Sequence, residues 1–187
     1  MIFIIPIIIV IVYLIAFYNG TKTIQVRIKA SIQEIANQLK RQADLIPSLV
    51  SSVKGFLKHE KGIFDKLTQA RKLIQSGDLG KLDKSQKLIN KALSSLKVVV
   101  ESNPQIQSQQ LVGKMMDELR DTADKIMYSK RTLIDLTADY NTKINTIPGV
   151  WLAPMFNFKP EQGLKVDNIE SALSVDKKDI QTPKVEL

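Results

Sequence analysis

From Ile2 to Tyr18 the chain is apolar at almost every position, IFIIPIIIVIVYLIAFY, and its first charged side chain is Lys22. A helix needs about 17 to 25 apolar residues to cross the hydrocarbon core of a bilayer. The run therefore predicts a transmembrane anchor over residues 1–21. A cleaved secretory signal fits less well. No Lys or Arg precedes the apolar run, and Ala16-Phe17-Tyr18-Asn19-Gly20 puts aromatics where a cleavage site needs small residues. Pro6 sits near the start, where a missing N–H is least costly. Tyr18 falls where an interfacial aromatic belt belongs.

After the anchor the pattern changes to a heptad seam. Ile28, Ile32, Ile35, Leu39, Gln42, Ile46, Leu49, Val53, Phe56, Glu60, Ile63, Leu67, Ala70 and Ile74 follow one another in steps of four and three. Read as one helix, the seam would be roughly 70 Å long at 1.5 Å per residue. Pro47 interrupts it without shifting the phase. The preserved phase favours a continuous, kinked helix; the other reading makes Asp44 the cap of a fresh helix with Pro47 in its first turn.

Ser76-Gly77-Asp78-Leu79-Gly80 reads as a turn. A second helix is expected from about Leu82 to Glu101. Asn103-Pro104 then supplies a cap and a first helical proline for a third. That helix carries Val112, Met115, Leu119, Ile126, Leu133, Leu136, Tyr140 and Ile147, and Pro148-Gly149 ends it. The apolar, aromatic segment Val150–Phe158 is too short to span a membrane. Packing on the bundle is its expected role, with the lipid interface and a docked partner as the other readings. Residues 161–187 are expected to form a polar, mobile tail. The expected fold is all-α: an N-terminal transmembrane helix followed by a long antiparallel helical bundle, with three long helices plus a short C-terminal element. Residues 22–160 form the bundle.

Charge adds an orientation. Lys22, Arg27, Lys29, Lys40 and Arg41 follow the anchor. Excess Lys and Arg mark the cytoplasmic side, so the expected topology is a short N-terminus outside and the main domain in the cytoplasm. Residues 22–101 carry sixteen basic against seven acidic side chains, whereas residues 102–187 carry eleven against twelve. The basic half suits an anionic lipid surface or an acidic partner. Scattered lysines on a solvated face are the plainer reading.

Catalytic signatures are sparse. The chain has no cysteine, which excludes disulfides, thiolate nucleophiles and Cys-based metal sites. His59 is the only histidine and stands beside Glu60, but a zinc-protease helix needs a second His one turn on. No glycine pattern for a phosphate loop occurs. Asp117, Glu118, Asp121 and Asp124 cluster at helical spacing, without the Glu-x-x-His partners of a di-metal bundle. A solvated, ion-paired face is expected there. No catalytic residue, cofactor site or metal site is expected. Nothing resembles a nucleic-acid-binding module.

Several stretches carry a family resemblance. They are Tyr18-Asn19, Gln38-Leu39-Lys40-Arg41, Asp44-Leu45-Ile46-Pro47-Ser48-Leu49-Val50, Val53-Lys54-Gly55-Phe56 and Lys58-His59-Glu60, followed by Tyr140 to Pro148 and Phe156-Asn157-Phe158-Lys159-Pro160. Together they resemble the LemA family. The resemblance implies a short N-terminal membrane helix, an antiparallel bundle placed in the cytoplasm, and no assigned catalytic residue. By gene neighbourhood it also implies an accessory role beside envelope proteins or a membrane protease system. Where the family has Trp and Asp in the first helix, this chain has Ile32 and Ala36. Gln42 replaces a second Arg after the Lys-Arg pair, and Glu161-Gln162-Gly163-Leu164 replaces an aromatic-acidic ending.

The functional expectation is a non-enzymatic, membrane-anchored interaction or scaffold protein of the bacterial envelope. The alternative is a module that binds anionic lipid or shapes the membrane. Candidate contact residues are Lys40, Arg41 and Asp44 near Pro47, and Trp151 with Phe156. Helix pairing and capping would equally explain the first three. The partner's identity and the oligomeric state are left open.

Overall fold

A computed structural model describes residues 4–57, 60–107 and 109–163. The described residues form six α-helices: α1 Ile4–Ser52, α2 Glu60–Ile74, α3 Leu79–Glu101, α4 Pro104–Gln107, α5 Gln110–Asn145 and α6 Gly149–Met155. No strand occurs among them. The all-α bundle expected from the heptad pattern is thus the fold of the chain.

The 49-residue α1 carries both the apolar run and the first bundle seam without a break. It is long and apolar enough to span a membrane, and its side chains from Ile4 to Tyr13 are exposed. Coverage by the bundle begins at Phe17 and Thr21, both inside the range expected for the anchor, and continues through Ile28, Ile35, Leu39, Ile46 and Leu49. The Thr21 hydroxyl is satisfied within the helix, donating to the Phe17 carbonyl at 2.7 Å.

Pro47 lies inside α1, as the preserved phase predicted. Proline leaves the carbonyl four residues earlier without its helical N–H. That carbonyl belongs to Ala43, and Arg71 Nη2 of α2 donates to it at 3.0 Å. A side chain from the neighbouring helix therefore occupies the acceptor that the proline vacates.

The expected single helix from Ile28 to Ile74 is instead two. α1 stops at Ser52, a 3₁₀ turn covers Lys54–Phe56, and Leu57 is extended before α2 returns alongside α1. The seam residues Ile63, Leu67, Ala70 and Ile74 are buried as expected, but on a different helix. The connecting turn happens to keep the heptad count in phase, so periodicity could not reveal the reversal. Gly77, at φ +65°, closes α2; its N–H bonds the Ile74 carbonyl at 3.1 Å. Asp78 caps α3 by accepting from Lys81 N–H at 3.1 Å. Pro104 does begin a helix, though only the single turn of α4.

α1 and α5 form the long antiparallel pair. Arg41 meets Glu118 near one end of α5, and Lys143 meets Phe17 near the other. The α2–α3 hairpin covers the half of that pair remote from the apolar run. Ser85 Oγ donates to the Ala70 carbonyl across the hairpin at 3.2 Å. The departure at Gln42 is buried: its Nε2 donates to the Leu119 carbonyl at 3.3 Å, while Oε1 has no partner.

Candidate functional site

The half of the α1–α5 pair nearest the apolar run is closed by α6 and the strap Phe156–Gly163. α5 ends at Asn145, and the cis Ile147-Pro148 bond leads into α6. Gly149 lies against α5 so closely that a Cβ would overlap the Lys143 carbonyl and stand 3.3 Å from the Phe17 ring. Gly149 and Ala153 are the buried side of α6.

A Schellman motif ends the helix. Phe158 N–H bonds the Ala153 carbonyl at 2.9 Å, Asn157 N–H bonds the Pro154 carbonyl at 3.2 Å, and Asn157 takes the left-handed conformation at φ 54°. Asparagine tolerates that conformation better than most residues with a Cβ. The motif turns Phe158 inward onto an aromatic cluster. Its ring centroid lies 5.7 Å from Tyr18, 6.4 Å from Tyr140, 6.2 Å from Phe156 and 6.5 Å from Phe17. Tyr18 and Phe156 stand 5.2 Å apart. Edge and tilted contacts of this kind add to the area they bury.

Polar bonds fasten the strap. Buried Tyr140 donates its hydroxyl to the Lys159 carbonyl at 3.0 Å. Asn141 exchanges two 3.0 Å bonds with the Glu161 backbone, and Gln25 Nε2 donates to Glu161 Oε1 at 3.0 Å. Burial raises the Tyr140 pKa above the ordinary tyrosine value, and the Glu161 carboxylate adds to the shift. Lys143 Nζ sits 5.6 Å from the Phe17 ring centroid.

The sequence pattern names Phe156 as a candidate contact residue here, but not Phe17, Tyr18, Tyr140, Asn141 or Phe158. Four of these five stood in stretches that carried the family resemblance, and the fold brings those stretches to one place. Phe156 is partly covered against Tyr18, whereas Trp151 is 65 % exposed on the outer side of α6. The two aromatics expected to act together therefore face different surroundings.

Lys40, Arg41 and Asp44 lie elsewhere, about 33 Å farther along α1 by its rise per residue. Arg41 Nε donates to Glu118 Oε1 on α5 at 3.0 Å, and its Nη2 shares that oxygen. This pairing raises the Arg41 pKa. Asp44 accepts from Arg71 Nη2 at 3.0 Å. Both side chains thus join helices of the same chain, and Lys40 is exposed.

Three of the four clustered carboxylates are likewise paired with cations. Asp117 pairs with Arg120, Glu118 with Arg41, and Asp121 with Lys125. No metal-binding grouping occurs among the described residues. His59 lies outside the described residues. A cavity of about 510 Å³ lies between the strap and the α2–α3 turn, but two of its carboxylates are occupied: Asp78 caps α3, and Asp83 pairs with Lys130.

The family model for the LemA family matches residues 31–176, most of the chain. The chain belongs to the LemA family. The matched region begins on α1 and takes in every later element of the LemA bundle, with Tyr140, Phe156 and Phe158 of the aromatic cluster but not Phe17 or Tyr18. No curated protein matches the chain.

Proposed function

We propose that this LemA-family chain is a membrane-anchored, non-enzymatic scaffold of the bacterial envelope that holds a helical bundle against the inner face of the membrane for another envelope protein. The single observation that carries this reading is the unbroken α1, whose exposed apolar half and buried bundle half are one helix. A helix has no loose linker, so the bundle's height and tilt would follow those of the span. The Lys and Arg residues after the span favour a cytoplasmic bundle. Asp117, Glu118 and Asp121 are engaged in ion pairs within the chain, which favours the non-enzymatic reading.

Two experiments test this in full-length protein. A cysteine placed at Ala123→Cys, on the exposed face of α5, should resist a membrane-impermeant maleimide in intact cells and react after lysis. Labelling in intact cells would reverse the orientation. For the partner surface, the exchange Arg41→Glu with Glu118→Arg keeps the internal pair while inverting the charge at both positions. With Lys40→Glu added, a partner that reads this surface should be lost from detergent-solubilised complexes. Unchanged recovery would remove this surface from the partner reading.

A further inference from the structure

The outer side of α6 is apolar where a helix of a water-soluble bundle would be polar. Val150, Trp151 and Met155 recur at helical spacing on α6 and are 42 %, 65 % and 71 % exposed, and Ile147, in the turn just before the helix, is 73 % exposed. The opposite side, Gly149 and Ala153, is already used against α5 and Phe17. This short helix is therefore apolar on both sides, and only one side is covered by the chain itself. Single exposed hydrophobic residues need no explanation, but a contiguous face does.

Its position indicates what covers it. α6 packs beside Phe17, and the segment that follows it packs beside Tyr18, where the exposed apolar half of α1 meets the bundle. Thirteen residues of exposed or half-exposed α1, almost all apolar, precede that point. Lys22 and Lys159 are exposed close to the same level, and Lys143 lies over the Phe17 ring. An apolar face carrying a tryptophan and flanked by lysines suits the boundary between acyl chains and anionic headgroups. The uncovered face is thus continuous with the surface that would meet lipid.

We infer that α6 is a second membrane contact, in which Ile147, Val150, Trp151 and Met155 seat in the lipid interface beside the exit of α1. The inference rests on the anchored reading of α1 and adds to it. One helix fixes only the point of attachment and leaves the bundle free to rotate about that axis. A second contact to one side removes this rotation and presents one constant face of the bundle to the cell interior.

Trp151 is the only tryptophan in the chain, so full-length protein reports on this site without labelling. The protein is reconstituted into vesicles of zwitterionic and anionic phospholipid carrying a nitroxide either high on the acyl chain or near its end. Seating to a depth of about 5 to 10 Å should let the shallow nitroxide remove about half of the Trp151 emission and the deep one much less. The paired substitutions Val150→Asp and Met155→Asp should restore the emission while the protein stays in the vesicles. Equal emission with and without either nitroxide, in protein that resists alkaline extraction, would overturn the inference and leave the anchor intact. Shielding from aqueous acrylamide without nitroxide quenching would mean that protein, such as a second copy, covers the face, and would overturn it equally. Release of the protein by alkaline carbonate would overturn the anchor reading itself, and this inference with it.

Discussion

At the scale of single residues, contact at the strap end of the bundle is set by what is absent as much as by what is present. Gly149 has no Cβ to strike the Lys143 carbonyl. Gly149→Ala should lower stability by about 1 to 3 kcal/mol, the usual cost of overfilling a packed site. The urea midpoint of detergent-solubilised protein, read by Trp151 emission, checks this; an unchanged midpoint would mean that α6 is not held as closely as its packing indicates. Tyr140 gives a pH dependence. Its folded pKa is raised by burial and by Glu161. Its contribution to stability is therefore complete below the ordinary tyrosine value of about 10 and is lost as pH rises through the folded value. Tyr140→Phe should be about 1 kcal/mol less stable at pH near 8, through loss of the bond to Lys159. It should also lose less stability than the parent on going to strongly alkaline pH. Parallel losses in the two proteins would rule out this titration as a cause.

At the scale of elements, α1 shows how a bundle carries a helix-interior proline. Pro47 frees the Ala43 carbonyl, and Arg71 binds both that carbonyl and Asp44. The three positions should therefore be energetically coupled. Arg71→Met should cost on the order of 1 kcal/mol in the parent chain. In a Pro47→Ala background the cost should shrink, because the restored backbone N–H reaches the same carbonyl. A double-mutant cycle measures the difference. An identical cost in both backgrounds would show that Arg71 acts through Asp44 alone. The same element shows why a hairpin hid within the heptad seam. A seam records which residues face the core, and both arms of the α1–α2 reversal face the same core.

At the scale of the molecule, the helix long enough to span a membrane and the bundle share residues. Phe17 is buried in the bundle, and Tyr18 packs on Phe156 and Phe158. A soluble form cut after Gly20 would remove both rings from the aromatic cluster. It should be less stable by about 3 kcal/mol than a form beginning at Ile15, the scale of losing a buried phenylalanine. Thermal unfolding of the two forms compares them directly; equal midpoints would mean that the cluster is not coupled to the rest of the bundle. On the proposed reading, a span that doubles as a core helix would keep the bundle from swinging freely at the membrane, and the second contact through α6 would reinforce this.

Much of this molecule was legible in the sequence because its elements obey local rules. The apolar run, the 3.5-residue repeat, the turn at Gly77 and the unbroken phase at Pro47 each depend on neighbours within a few residues. They determined an all-α chain with an N-terminal helix long and apolar enough to span a membrane. The family motifs were equally plain, although their purpose was not. What only the tertiary structure decided depends on residues distant in the chain. Periodicity counts residues and not directions, so it could not place the reversal after Ser52. Nor could it show that Arg41 and Asp44 are matched by Glu118 and Arg71 on other helices. The meeting of Tyr18, Tyr140 and Phe158 joins three segments more than a hundred residues apart along the chain from first to last. The exposure of Trp151 beside a buried Gly149 follows from how a seven-residue helix is seated, and hydrophobicity alone does not distinguish the side that meets protein from the side left bare.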